Sequence, residues 1–346
     1  MTGGASFIGS HLVDSLVSKG SIVRVVDDFS SGKLDNLQYP LSKAARDEWV
    51  FENLTVIKGD LKDQTFTRKV VEDVDIVFHL AASHGGRGYI DSHPADCASN
   101  LALDGIVFEE ANRASVEKVC YASSACVYPT SIQNDGQNKP SRQLRLSEDM
   151  ADPYAQGKAN PDLEYGWAKL MGEMSLKAYH KQYGLHCANC RIFTAYGERE
   201  NETHAIIALI AKAFVRMDPY EIWGTGEQDR NFTYVKDIVG GLILAAERVS
   251  DGSPINLGTA EHLRVKDVAH KIFEHVDWRP KHIFCDESKP EGVFSRAADL
   301  TRAKQLLGWY PTVQFDDGLR RTIEWYTSTR DSKLVEMSLP KLLIER

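Results

Sequence analysis

Thr2-Gly3-Gly4-Ala5-Ser6-Phe7-Ile8-Gly9 opens the chain. A glycine-rich turn of this kind follows a β-strand, starts a helix and cradles a dinucleotide pyrophosphate on backbone N–H groups at the helix N-terminus. Gly3, Ser6, Phe7, Ile8 and Gly9 are therefore candidate cofactor contacts. Ser6 stands at the middle glycine position, where its hydroxyl could meet a phosphate. Only Met1 and Thr2 precede the turn. The expectation is a truncated first strand, lacking about five apolar residues of ordinary strand length.

Downstream, Leu12, Val13, Leu16 and Val17 mark one helix face, and Gly20 suits its end. Apolar runs at Ile22–Val26, Leu54–Ile57, Val74–Leu80 and Val119–Ala122 read as buried strands with helical stretches between them. This βα alternation predicts an α/β fold, a doubly wound parallel sheet of Rossmann type. A long helix is expected from about Tyr165. Beyond Arg191 the alternation loosens into a second, smaller mixed α/β substrate domain. The expected division is 1–190, with a returning segment near 232–258, then 191–331 interleaved with it, and a tail at 332–346. Asn256-Leu257-Gly258 and Gly308-Trp309-Tyr310-Pro311 read as punctuation.

The 346 residues carry a net charge of −8, with 42% hydrophobic and 26% charged residues. These values suit a globular chain and argue against nucleic-acid or anionic-membrane partners. No run has the length of a membrane span, and the N-terminus lacks a signal peptide's pattern, so a cytoplasmic protein is expected. Six cysteines in a chain this long predict reduced thiols. Cys187 and Cys190 have redox or zinc spacing but no second ligand pair, so they read as buried strand residues and no metal is expected.

Asp27 ends the second apolar strand, 18 positions after Gly9. A carboxylate there accepts both adenine-ribose hydroxyls and repels a 2′-phosphate, which favours NAD over NADP. Asp60 and Leu61 follow the next strand and are expected near the adenine. Tyr165 and Lys169 are four apart, on one helix face. A phenol is a poor base at neutral pH, and a neighbouring ammonium with a cationic nicotinamide favours its phenolate. Tyr165 can then take a sugar-hydroxyl proton during hydride transfer. Ser124, 41 positions upstream at a strand end, would bond the same hydroxyl.

Together these stretches resemble the extended short-chain dehydrogenase/reductases that act on nucleotide sugars. The matches are Thr2–Gly9, Val26–Gly32, Leu80-Ala81-Ala82, Ser123–Tyr128, Tyr165–Lys169, Arg191–Gly197 and Leu307–Pro311. The resemblance implies bound NAD, contacts from Leu80, Ala81 and Ala82, and a nucleotide-diphosphate-sugar substrate. It also implies a homodimer formed through two helices of the NAD domain. Ala82–Ile90, Tyr121–Pro129 and Pro290–Val293 are most similar to the GDP-mannose 3,5-epimerase branch. Such enzymes oxidise carbon 4, invert carbons 3 and 5 through the acidified C–H bonds, and return the hydride.

That likeness assigns Cys126 to one side of the sugar, where 4,6-dehydratases carry a glutamate. His204 is the residue best placed to match the family's partner lysine, and imidazole is a competent acid/base. Arg230 and Arg296 match arginines that clamp the diphosphate, and guanidinium planes suit bidentate phosphate recognition. Gly85, Gly86, Arg87 and Ser123 are expected to line the sugar pocket. Thr194 replaces an asparagine that contacts substrate, and Phe294 stands where the GDP-mannose enzymes have an arginine. The expected function is an NAD-dependent nucleotide-sugar epimerase with proton exchange at carbon 3 or 5. A UDP-sugar 4-epimerase is the alternative, since it shares the hydride machinery. A 4,6-dehydratase fits less well because Ala125-Cys126 replaces its Asp-Glu pair, and a non-catalytic NAD-binding protein leaves the Ser-Tyr-Lys set unexplained.

Overall fold

The computed structural model describes residues 1–134 and 144–345. Its central sheet carries β1 (Val23–Asp27), β2 (Ser42–Ala45), β3 (Glu48–Phe51), β4 (Leu54–Lys58), β5 (Ile76–His79), β6 (Lys118–Ser124), β7 (His186–Ile192) and a last strand, Asp251–Leu257. The pairing runs β2-β3-β4-β1 on one side, and β5-β6-β7-Asp251–Leu257 on the other. β1–β4 and all pairs of the second group are parallel, as the apolar runs predict for strands buried on both faces. The antiparallel hairpin of β2 and β3 lies in what reads as a polar insertion.

Between the two groups stands Thr2. It bridges Val26 of β1 and His79 of β5, both in parallel sense. The backbone N–H of Val26 donates to Met1 O at 2.8 Å, and that of Leu80 donates to Thr2 O at 3.3 Å. A single residue thus joins the two strand groups.

Helices α1 (Phe7–Ser18), α2 (Gln64–Val71), α3 (Arg87–Ser92), α4 (Pro94–Ala98), α5 (Asn100–Arg113), α6 (Thr130–Asn134) and α7 (Leu163–Tyr183) intervene between the strands. The Asp63 carboxylate caps α2, accepting from the N–H groups of Thr65 and Phe66. α7 is long enough to carry Tyr165 and Lys169 along one buried face. Cys187 and Cys190 are buried in β7, as read from the sequence.

A second apolar cluster forms around α8 (Ala205–Phe214), strand Tyr220–Trp223 and helices Val265–His275, Phe315–Thr329 and Ser332–Leu342. Ile206, Ile207 and Ile210 of α8 are fully buried there. Each such side chain contributes about 1.5–3 kcal/mol on burial. The tail is a packed helix, with Val335, Leu339 and Leu343 buried. Leu257, read as punctuation, instead ends the outer strand of the main sheet beside Ile192. Among the described residues no helix is long and apolar enough to cross a membrane, and no group of side chains could hold a metal ion.

Candidate active site

A cavity of about 740 Å³ runs along the C-terminal ends of the parallel strands. In doubly wound sheets ligands bind at that edge. One wall is the glycine turn. A Cβ on Gly9 would stand 2.1 Å from Gly3 O, so no other residue allows this helix start to pack on the turn. Gly3, Ser6, Phe7 and Ile8 line the cavity, followed by Asp27, Asp60, Leu61, Leu80, Ala81 and Ala82. The Asp27 carboxylate accepts from the N–H of Ala5 and of Phe29, each at 2.9 Å. Burial pushes its carboxyl up, against the pull of those two bonds. The Ser6 hydroxyl donates to Gly3 O at 2.5 Å, so its proton already serves the turn.

This wall fits NAD. A dinucleotide site of this type needs its helix packed closely on the turn, and the structure permits no Cβ at Gly9. The Asp27 carboxylate at the end of β1 lines the same cavity as Tyr165 and Lys169.

Tyr165 and Lys169 are both buried. Ser124 hydrogen-bonds the Tyr165 phenol, which favours its ionised form, but burial and the neighbouring Cys126 dominate. The phenol is held well above its ordinary value, where the sequence led us to expect a phenolate. The ammonium lies 5.9 Å from the centre of the Tyr165 ring and closer, 4.6 Å, to that of Tyr121. Burial lowers Lys169, while Asp104 and Glu173 raise it. Asp104 belongs to a chain the sequence did not reveal. Thr2 Oγ1 meets His79 Nδ1 at 2.7 Å, His79 Nε2 meets Asp104 Oδ1 at 3.0 Å, and Tyr121 OH donates to Asp104 Oδ2. Burial raises the Asp104 carboxyl, but Lys169, His79 and Tyr121 more than offset this and keep it below its usual range.

Packed with Tyr165, Cys126 sits in a short 3-10 turn after β6. Its N–H donates to Ser124 Oγ at 3.1 Å, and Arg296 Nη1 stands 3.5 Å from its sulfur. Arg296 also donates to Gln133 Oε1 at 2.7 Å and lies 3.4 Å from Asp162. Arg87 pairs with Asp162 at 2.9 Å and with Asp91 at 2.7 Å. Asp162 starts α7, but its carboxylate is engaged by these arginines and makes no cap bond. Arg230 differs: it donates to the carbonyls of Asp229 and Glu291, at 2.7 and 2.9 Å. Burial and the charge of Arg296 bring it down to about 10. Buried positive charge satisfied by carbonyls suits an incoming phosphate.

Ser123 lines the cavity, and its hydroxyl donates to Glu173 Oε1 at 2.5 Å, beside the buried Glu173–Arg191 pair. Gly85, Gly86, Thr194 and His204 line the cavity. A Cβ on Gly86 would fall 1.6 Å from Thr203 O, so the Gly85-Gly86 turn rests directly on the segment that ends at His204. His84 stacks on Tyr165, centroids 4.6 Å apart, and its Nε2 lies 3.4 Å from that of His204.

Residues 1–258 match the model of the NAD dependent epimerase/dehydratase family. The chain belongs to that family. It is 32% identical over 332 residues to GDP-mannose 3,5-epimerase 1 of Oryza sativa subsp. indica, covering 94% of this chain and 80% of that protein. To the UDP-glucose 4-epimerase of Mycolicibacterium smegmatis it is 30% identical over 330 residues, covering 94% and 97%. The crystal structure of Thermotoga maritima UDP-glucose 4-epimerase with UDP-glucose superposes with a TM-score of 0.79 at 26% identity, covering 95% and 98%. NAD is the cofactor of the family, and the fold is that of its epimerases.

Proposed function

We propose that this protein is an NAD-dependent nucleotide-diphosphate-sugar epimerase that oxidises carbon 4 transiently and exchanges protons at carbon 3, carbon 5 or both. The observation that carries the reading is Cys126: a thiol stands beside the Ser124–Tyr165 pair, in one cavity with His204, and 3.5 Å from a guanidinium. A 4-epimerase has no need of a sulfur there, whereas C–H exchange needs a group that can hold negative charge as it takes a carbon-bound proton.

Gly3, Phe7, Ile8, Gly9, Asp27, Asp60, Leu61 and Leu80–Ala82 would hold NAD, with Ser6 completing the turn. When bound, NAD accepts and returns the hydride of carbon 4 and adds positive charge beside the phenol. Tyr165 takes the proton of the carbon 4 hydroxyl, and Ser124 orients that oxygen. Lys169, steadied by Asp104, supplies the fixed positive charge. Cys126 and His204 then serve the carbons next to the ketone. Arg230 and Arg296 grip the diphosphate, while Arg87 holds Asp162 and the start of α7. Thr194 and Gly85-Gly86 shape the sugar pocket.

We place the NAD-binding domain at 1–190 with a returning segment near 232–258, because the strand Asp251–Leu257 pairs with β7. Leu101 on α5 and Trp167 and Met171 on α7 are exposed apolar side chains suited to a homodimer. The similarity to UDP-glucose 4-epimerases supports a second reading, inversion at carbon 4 without C–H exchange. GDP-mannose and UDP-glucose, each incubated with the NAD-loaded protein and followed by proton NMR, separate the two. A product inverted at carbon 3 or 5 supports the proposal; one inverted at carbon 4 alone supports the alternative.

A further inference from the structure

The segment that ends at His204 contains three glutamates, and they are not equivalent. Glu198 accepts from Tyr234 OH, and Glu202 accepts from Tyr326 OH, both at 2.8 Å. Glu200 is 2% exposed and meets one group, His204 Nδ1, at 3.4 Å from its Oε1. Neither its Oε2 nor His204 Nδ1 has a hydrogen-bond partner among the described residues, so the two buried groups face each other without a formed bond. The far nitrogen of His204 points to His84 at 3.4 Å, and His84 lies flat on Tyr165. A carboxyl, two imidazoles and a phenol thus stand in sequence along the cavity.

We propose that Glu200 is a buried proton store that works through His204, with His84 holding the outer nitrogen of His204 until a sugar takes its place. The inference rests on the reading of His204 as an acid/base toward the sugar. In the resting state Glu200 carries its proton, and His204 is neutral, protonated on Nε2 and bare on Nδ1. When a carbon beside the ketone must be protonated, the Nε2–H bond breaks and a C–H bond forms. The Glu200 proton moves to Nδ1 in the same event. The negative charge of the enolate ends on the Glu200 carboxylate, and no imidazolium appears. The reverse sequence removes a proton from carbon.

Burial alone pushes the Glu200 carboxyl well above its usual range and brings His204 down to about 4. Burial thus disfavours the charged form of both groups, and the 3.4 Å contact sets them face to face. The surrounding charges are taken up elsewhere. Arg199 pairs with Asp14, Lys212 with Glu221, Arg330 with Glu202, and Arg87 with its two aspartates. Lys169, on α7, lies over the Tyr121 ring. Tyr165 closes the array, its phenol held above its ordinary value by burial. Glu200 is a positioning residue, since it reaches the sugar only through His204.

The test uses the NAD-loaded protein and Glu200→Gln, whose amide keeps the shape and can still donate to Nδ1 but cannot release a proton. The expected result is a loss of about 100-fold or more in C–H exchange at the carbon served by His204. Hydride removal at carbon 4, read as NADH absorbance in a single turnover, should fall far less. Exchange in the variant equal to the native rate overturns the proposal. Independently of any sugar, nitrogen-15 NMR of labelled histidines in the NAD-loaded protein should show His204 as the neutral Nε2–H tautomer between pH 6 and 8, a range set by its ordinary value near 6.5. A proton found on Nδ1 overturns the array. If the native protein exchanges no C–H proton but His204 has the expected tautomer, the proposed function fails and the array stands.

Discussion

The two walls of the cavity differ in how they are built. The cofactor wall is local: Gly3 to Gly9 turn on themselves, Asp27 follows by one strand, and Tyr165 and Lys169 share one helix. Its geometry is set by backbone approach and by the 3.6-residue repeat. The substrate wall is assembled from distant segments. Arg296 reaches Cys126 across 170 positions of sequence, and the N–H of Gly86 donates to Thr203 Oγ1 across 117. Apart from Ser6 the first wall keeps the family pattern, whereas the second carries the changes at Thr194 and His204. A Rossmann fold can therefore hold its cofactor machinery constant while the facing surface alters the chemistry, because the two depend on different kinds of contact.

Removing the phenolic hydroxyl should give the largest effect. Tyr165→Phe is expected to lower turnover by roughly 10²–10⁴-fold, the usual share of general acid/base catalysis. The variant should retain its NAD, measured by release on denaturation. Loss of NAD together with activity would show that the walls are not separable in this way. On the substrate wall, Arg230→Ala should raise KM for the nucleotide sugar by roughly 10–100-fold, from the 1.5–3 kcal/mol typical of hydrogen bonds to a charged group. NAD content should stay the same, and an unchanged KM would assign Arg230 to packing.

The join between the walls is testable through stability. Gly86→Ala forces a Cβ onto Thr203 O and should cost about 1–3 kcal/mol, seen as a lower Tm. Gly105→Ala is the contrast. That position lies in α5 with nothing within 4 Å of the added carbon, so helix propensity should raise stability by up to about 1 kcal/mol.

A smaller effect concerns pH. His204 is lowered to about 4 in the folded chain, so between its ordinary value and that point the unfolded chain binds a proton that the folded chain does not. Stability must then fall as pH drops from about 6.5 to 4. His204→Gln should flatten that part of the Tm–pH curve, and an identical curve would place His204 in a more solvated setting.

The parallel strands were legible because runs such as Val119-Cys120-Tyr121 are apolar on both faces, and these residues are buried. The β2–β3 hairpin was not, since Ser42–Ala45 is an exposed edge with no apolar alternation. Asp251-Gly252-Ser253-Pro254 has the composition of a turn, yet its backbone pairs with β7. Within the site, the Tyr-Lys spacing together with a serine at a strand end pointed to Ser124, Tyr165 and Lys169, which the structure brings into one cavity. The bond of the Ser123 hydroxyl to Glu173 was not legible, because the two residues are 50 positions apart. Glu200 was invisible because Gly197-Glu198-Arg199-Glu200-Asn201-Glu202 has the look of a solvated run, and only the fold separates the buried carboxyl from its neighbours.

Turnover of the sugar in D₂O by the NAD-loaded protein tests the central claim most directly. The account predicts deuterium at carbon 3, carbon 5 or both in the product, and loss of that label in Cys126→Ala. An epimerised product carrying no carbon-bound deuterium would contradict it.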